Sequence, residues 1–422
     1  DPFTGINYEK EWYENKALVL QEVLDNKIGN ANYDIGQLFH NAAEGGNAGC
    51  IGCVCTNDRK GQGFSSYPFA YVRNRSAFDI DVVAHEIGHQ LGARHTFSYR
   101  RENRSGSQME PGSGTTIMSY AGVTRYYDVQ QNADPYFHHR TIYDITDNLQ
   151  GKSCATENST GNTPPEIPDL KSYTIPYGTA YLLEGTATDA DGDALLYTWE
   201  ESDNYTETGN YYFSPTIRSG ATARSMKPSA QSYRYIPRLE RIVAGTLTQQ
   251  NPKKGDAWET VLNIGRTLHW TFMVIDRPLA SNQTGNTVYK TIDVVVSADA
   301  GPFRVSSHTE QSTWYVGQKV SLQWDVANTD KAPVNAEKVK ILFSTDGATF
   351  SHTLATGLPN NGKAEISVPD AIKTQRGRFM VKAEENLFLA VNAGNITVKE
   401  DDDVDNDGIP SRMDNCPTVA NP

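Results

Sequence analysis

The sequence predicts a multidomain chain: a mixed α/β domain over residues 1–155, then two all-β sandwiches and a short acidic tail. Three observations predict this. At 422 residues the chain is long for one domain. A cluster of Thr, Asn, Gly and Pro over 156–168 reads as a linker. Across that linker the hydrophobic pattern changes, from helical spacing before it to short alternating runs after it.

In the first domain Tyr13, Ala17, Leu20 and Leu24 recur at helical spacing, which predicts a helix over 8–27 ended by Gly29. Residues 33–39 and 50–56 read as short strands. A second helix is expected over 77–91. Ser76 can cap it, with Asp79 in capping-box spacing, and Ile80, Val83, Ile87 and Leu91 make an apolar stripe. A last helix covers 138–149. Beyond the linker, runs such as LLYTWEE and LHWTFMVID predict one sandwich over 169–299. Runs such as KVSLQWDV and KVKILFSTDG predict a second over 300–399. Trp199 and Trp324 read as core residues. The tail, 400–422, has little to bury.

Composition narrows the function classes. Hydrophobic residues make up 38%, enough for ordinary cores. With 51 acidic against 38 basic residues the net charge is -13, which disfavours nucleic acid and anionic membranes as partners. No run reaches the ~20 apolar residues of a transmembrane helix. No signal-peptide pattern is visible; the polar start reads as a domain already under way. Five cysteines, Cys50, Cys53, Cys55, Cys154 and Cys416, leave one thiol unpaired or paired outside this segment.

The decisive segment is VVAHEIGHQLGARHTF, 82–97. His85 and His89, four apart on one helix, project from the same face and can share a cation. Glu86 lies beside the first ligand, placed to take a proton from water that the metal activates. Gly92 lets the chain leave the helix and return His95 as third ligand. Three neutral imidazoles leave a fourth position open, as hydrolytic Zn2+ requires. The five fixed residues of HExxHxxGxxH arise by chance in a chain of this length on the order of once in 10⁵ trials at ordinary residue frequencies.

HEIGHQLGARH resembles the long metzincin signature, and TTIMSYAG (115–122) resembles the turn that carries the metzincin methionine. The resemblance implies that Met118 forms an apolar floor beneath the histidines. It puts Tyr120 where related enzymes carry a tyrosine that can approach the zinc; a catalytic and a structural hydroxyl both remain open. With NANYDIGQLF, the VCTN strand and NADPYFH, the domain is similar to the reprolysin-like (adamalysin-related) peptidases of secreted bacterial proteins. Thr96 departs from the pattern, standing where snake-venom adamalysins have Asp. The resemblance further implies that 1–155 is the C-terminal portion of the catalytic domain, whose N-terminal part precedes Asp1. It places the substrate along an edge strand near 49–56, with 121–137 shaping the pocket past the scissile bond. It pairs Cys55 with Cys154, with Cys53 as the alternative partner.

TATDADGDALLYTWEE (186–201) resembles cadherin-like and PKD-like modules, in which Asp189, Asp191 and Asp193 can bind calcium or simply make a turn. The second sandwich resembles fibronectin or immunoglobulin-like modules. Modules of these kinds usually space or anchor a catalytic domain. In the tail Asp403, Asp405 and Asp407 alternate, Gly408 follows, and Asp414 lies at the twelfth position; the pattern suits Ca2+ and resembles one thrombospondin type 3 repeat. Such repeats come in series, so Cys416 is expected to pair in a following unit. Together these features predict a secreted or cell-surface zinc endopeptidase acting on proteins or peptides. The alternative is a calcium-dependent surface adhesin with a vestigial peptidase domain.

Overall fold

The structure is a computed structural model that describes residues 11–41, 45–66, 77–102, 106–156, 158–159, 161–278, 283–402, 409, 411 and 413–420. Helix α1, Glu11–Lys27, buries Leu20 and Val23 and ends before Gly29, whose φ of 88° an L side chain would resist. Its Gln21 accepts from the Gly61 backbone N–H at 2.6 Å, tying the helix to a small sheet. The sheet runs β1 (Gln37–His40), β3 (Gly63–Ser66), β2 (Gly45–Asn47), with β1 parallel and β2 antiparallel to β3.

Residues 50–56 are not a strand. Gly49, Gly52 and Cys55 all take positive φ (74°, 75° and 63°), which coils the segment instead of extending it. Cys50 pairs with Cys53, and Cys55 with Cys154, each with Cα atoms 5.9 Å apart. Cys53 is therefore not the partner of Cys154. The coil has a different use. Gly52 and Val54 donate their N–H groups to the His89 and Gln90 carbonyls, satisfying acceptors near the C-terminal end of the next helix.

That helix is two-part. Phe78–Ala84 is wound wide, and α2, His85–Leu91, continues it. Its buried face is not the apolar stripe: Ile80, Val83, Ile87 and Leu91 are half-buried, whereas His85, Glu86, Gly88, His89 and Gln90 are buried. The face that carries the chemistry is the one the fold encloses. Ser76 lies outside the described residues, as does the predicted start of the first helix. Helix α3, His139–Gln150, packs on α2, and its Asn148 donates to the Leu91 carbonyl.

After residue 155 the chain is β. One sheet has the order β4 (Tyr173–Pro176), β9 (Thr287–Ser297), β8 (Arg266–Arg277), β6 (Ala194–Glu201). The linker's far end is already stitched to this module: Glu166 bridges Thr188, and Ile167 joins its core. Trp199 and Trp270 are buried there, and Trp324 is buried in the second module with its indole N–H on Asn360. A division near residue 299 does not separate two closed sheets. Strand β5 (Ala180–Glu184) pairs with β7 (Tyr233–Ile236) on one side and with β10 (Phe388–Val391) on the other. One sheet thus runs from the first module into the second, and Ala180, Leu182, Ile242, Met380 and Leu389 share a core across the join.

The first module also packs against the α/β domain. Gln108, Gly112, Thr115, Val129 and His139 all bond to it, through Asn204 and Tyr205, Tyr211, Ser225, Gly255, and Glu200 respectively. It is a buttress and not only a spacer. Tail residues Asp403, Asp405, Asp407 and Gly408 lie outside the described residues; Asp414 accepts from the Cys416 N–H, and the Cys416 thiol is free and exposed.

Candidate metal centre

Helix α2 sets His85 and His89 one turn apart, and a backbone turn at Gly92 (φ 125°) returns the chain to His95. The turn is tight: a Cβ on Gly92 would lie 2.6 Å from Asn148 Cβ. The three rings converge. His95 Nε2 stands 3.0 Å from His89 Nε2 and 3.2 Å from His85 Nε2. Each Nδ1 meets an acceptor: the Ile117 carbonyl for His85, the Ala93 carbonyl for His89, and the Glu102 carboxylate for His95. Those acceptors hold the proton on Nδ1, so the Nε2 lone pairs point at one another. Lone pairs facing at that range repel unless a cation lies between them. Tetrahedral zinc with ~2.0–2.1 Å bonds puts its nitrogens roughly 3.3 Å apart, so the donor set fits zinc. Burial and the neighbouring rings push the His85 imidazole well below its ordinary value, and burial above all brings His89 down to about 4. Both imidazoles are therefore neutral at physiological pH, the form that can ligate a metal.

Glu86 faces strand β2. Burial raises its carboxyl to about 7, against a bond from the Ala48 backbone that lowers it. Gly46 on β2 leaves room for it: a Cβ there would sit 2.4 Å from Glu86 Cγ and Oε1. The edge strand beside the site is thus 45–47, not 49–56. Met118 is fully buried against α2, where Gly88 admits it; a Cβ on Gly88 would meet Met118 Sδ at 2.6 Å. The half-buried Tyr120 ring packs 4.6 Å from the His95 ring and 5.7 Å from that of His85. A cleft of about 750 Å³ opens beside the site, between Gly45, Gly46, His85 and Glu86 on one side and Ser119–Val123 and Gln131–Ala133 on the other.

Two carboxylates escaped sequence reasoning. Glu102 holds His95, and only an acid seven residues past the third histidine hints at it. Glu110, fully buried, accepts from the hydroxyls of Thr96 (2.6 Å), Thr115 (3.1 Å) and Thr116 (2.6 Å) and from two backbone N–H groups. It thereby ties the residue after the third histidine to the methionine turn. Thr96, the residue that departs from the snake-venom pattern, is thus held by the Glu110 carboxylate. Among the calcium candidates, Asp189 and Asp193 lie with Asp276, their carboxylate oxygens within 4.8 Å of one another, while Asp191 accepts from the Thr163 N–H.

Comparison with known proteins agrees over the first domain. Residues 13–153 match the family model of reprolysin-like metallopeptidases of family M12B. No curated protein is significantly similar to the chain. Solved structures similar to it include the tandem Ig repeats of Dlar, at 12% identity over 56% of this chain and 98% of that one, with a TM-score of 0.28. The N-terminal Ig1-2 module of the Drosophila receptor protein tyrosine phosphatase DLAR gives 13% over 56% and 100%, with 0.27. A Bacteroides ovatus glucan-utilization protein, SGBP-B, gives 12% over 58% and 48%, with 0.16. No helix among the described residues is long and apolar enough to cross a membrane. Residues 13–153, which hold the histidine cluster, are thus the part of the chain that is similar to reprolysin-like metallopeptidases.

Proposed function

We propose that the chain is a zinc-dependent endopeptidase whose ligands are His85, His89 and His95 and whose general base is Glu86. The observation that carries the reading is the convergence of three Nε2 atoms at 3.0–3.2 Å, each ring oriented by its own acceptor. Zinc held there supplies Lewis acidity, activating water and polarising the scissile carbonyl. The chain's own residues do the rest. Strand β2 offers its open edge to an extended substrate, and Gly46 keeps that edge close to Glu86. Glu86, with a carboxyl near neutrality, takes the proton from the attacking water and delivers it to the leaving amine. Tyr120 packs beside His95, within the same wall of the cleft, and donates to the substrate oxygen as charge develops.

Two cysteine pairs support work in an oxidising compartment, so the protein is secreted or displayed at the cell surface. Calcium belongs to the same reading: Asp189 and Asp193 with Asp276 form one site, and Asp403, Asp405, Asp407 and Asp414 another. The test is elemental analysis together with cleavage of an unfolded protein. About one zinc per chain is expected, lost with hydrolysis when any of His85, His89 or His95 is replaced by Ala. A chain that binds calcium but holds no zinc and cleaves nothing would be the adhesin alternative.

A further inference from the structure

The peptidase domain and the first β-module meet under one particular loop. Residues 127–134 follow the methionine turn, and Gln131, Asn132 and Ala133 wall the cleft beside Glu86. Part of its anchoring is internal to the domain: the Ser113 N–H donates to the Tyr127 carbonyl, the Val129 N–H to the Ser113 hydroxyl and the Asp134 N–H to the Thr115 carbonyl. The module supplies a second set of anchors. Arg224, its side chain 13% exposed, reaches Gln130 Oε1 and lies 3.9 Å from Asp134. Lys254 Nζ bonds Gln131 Oε1 at 2.9 Å, and the Gly255 N–H donates to the Val129 carbonyl at 3.1 Å. Val129 is fully buried in the module's own core with Phe213 and Trp258. Another anchor comes from the wide-wound segment Phe78–Ala84 ahead of α2, where Asp81 accepts from Asn132 and from the Ala133 N–H.

Trp258 is the keystone of this contact. It is buried at 1% exposure yet takes φ 52°, a left-handed backbone that a bulky residue resists. The strain places its ring under Gly112, where a Cβ would lie 2.8 Å from the indole and 2.6 Å from the Tyr127 carbonyl. Gly112 leads into the methionine turn, and its N–H donates to Tyr211 of the module at 2.9 Å. The module therefore grips the chain on both sides of residues 115–123, the segment that carries Met118 and Tyr120.

We propose that the first β-module is a working part of the peptidase site: through Arg224, Lys254 and Trp258 it fixes the loop 127–134 and so sets which substrate side chain the cleft admits past the scissile bond. This rests on the peptidase reading above. The three are positioning residues. None of them lines the cleft among the described residues, and their effect passes through Gln130, Gln131, Val129 and Gly112. A wall held from two domains is stiff, and a stiff wall discriminates by shape. Released from the module, it would admit a wider range of side chains and hold each less well.

The experiment uses the full chain and a peptide set varied at the residue following the cleavage point. Arg224→Ala and Lys254→Ala are expected to raise KM for the preferred peptide by about 5-fold with a smaller change in kcat, and to flatten the preference among peptides. Arg224→Lys, which keeps the charge facing Asp134 but loses the guanidinium fork, falls between. Lys290→Ala, whose side chain pairs with Asp169 away from this contact, serves as the unchanged reference. Should Arg224→Ala fail to fold, Lys254→Ala carries the test alone, because the Lys254 side chain is exposed. KM and preference indistinguishable from those of the unsubstituted chain would overturn the proposal. That failure is separable from failure of the peptidase reading, in which the unsubstituted chain itself cleaves nothing.

Discussion

The histidine cluster depends on small neighbours and on carboxylates that no motif announces. Gly46 is an example. Its α-hydrogen faces the Glu86 carboxylate, and a methyl group there has no room without moving β2 or Glu86. Gly46→Ala is expected to retain zinc and lose at least ~10-fold in kcat/KM, since displacing a general base by about 1 Å costs on the order of 10²-fold. Parallel metal analysis and steady-state kinetics check this. Glu110 makes a second case. Replacing it by Ala strands the Thr96, Thr115 and Thr116 hydroxyls and two backbone donors in a dry site. At ~1–3 kcal/mol for each buried polar group left unpaired, the loss should reach about 3 kcal/mol or more in denaturant unfolding. Glu110→Gln, which keeps acceptor capacity at one oxygen, should lose less. At this scale the sequence was legible where spacing itself is chemistry. His85, His89, His95, Gly92 and Met118 could be read because a helix and a turn fix their geometry locally. Glu102 and Glu110 could not, because which acid folds back onto which histidine or threonine is decided by the path of a loop.

Among the elements, helices were read well and the sheet edge was not. The C-terminal ends of α1 at Lys27 and α3 at Gln150 lie within about one residue of expectation. Residues 50–56 failed because Cys, Ile and Val favour strands, while Gly49, Gly52 and two cystines decide otherwise. The inverted burial of the 78–91 helix has a related cause: a metal face is polar and buried, so a stripe of Ile and Val marks the wrong side. The Cys55–Cys154 pair gives an element-scale prediction. It closes a loop over a sequence separation of 99 and fastens the coil that caps α2 to the segment after α3. Substituting both cysteines by Ser should lower stability by about 4–5 kcal/mol on the chain-entropy account. Thermal unfolding of the Cys55→Ser/Cys154→Ser chain measures it, and a shift within error of zero would show that the bridge constrains nothing.

For the whole molecule, the finding is that three predicted domains are mechanically joined. Strand β10 extends the sheet of β5 and β7, and the first module holds the α/β domain by charged and aromatic contacts. The sequence could not reveal this, since alternating runs predict strands but not the partners those strands choose. The junction is pH-sensitive. His139 sits buried against Glu200 of the module, its Nδ1 3.1 Å from the carboxylate and its Nε2 3.1 Å from the Ser202 hydroxyl. Burial, with His138 alongside, lowers its imidazole to about 4. An unfolded chain takes up that proton near pH 6.5 and the folded one does not until about pH 4. Stability from this residue is therefore constant above pH 6.5 and lost progressively as pH falls toward 4. Unfolding measured from pH 8 to 4.5 should show that decline, and His139→Gln should flatten it.

The central claim is that Glu86 activates water at a zinc held by His85, His89 and His95. It is tested most directly by hydrolysis of an unfolded protein by the Glu86→Ala chain, with zinc determined on the same sample. The account predicts about one zinc per chain, as in the unsubstituted protein, and peptide hydrolysis reduced by roughly 10²–10⁴-fold, the usual contribution of a general base. Hydrolysis undiminished in that sample, with zinc still bound, would contradict it.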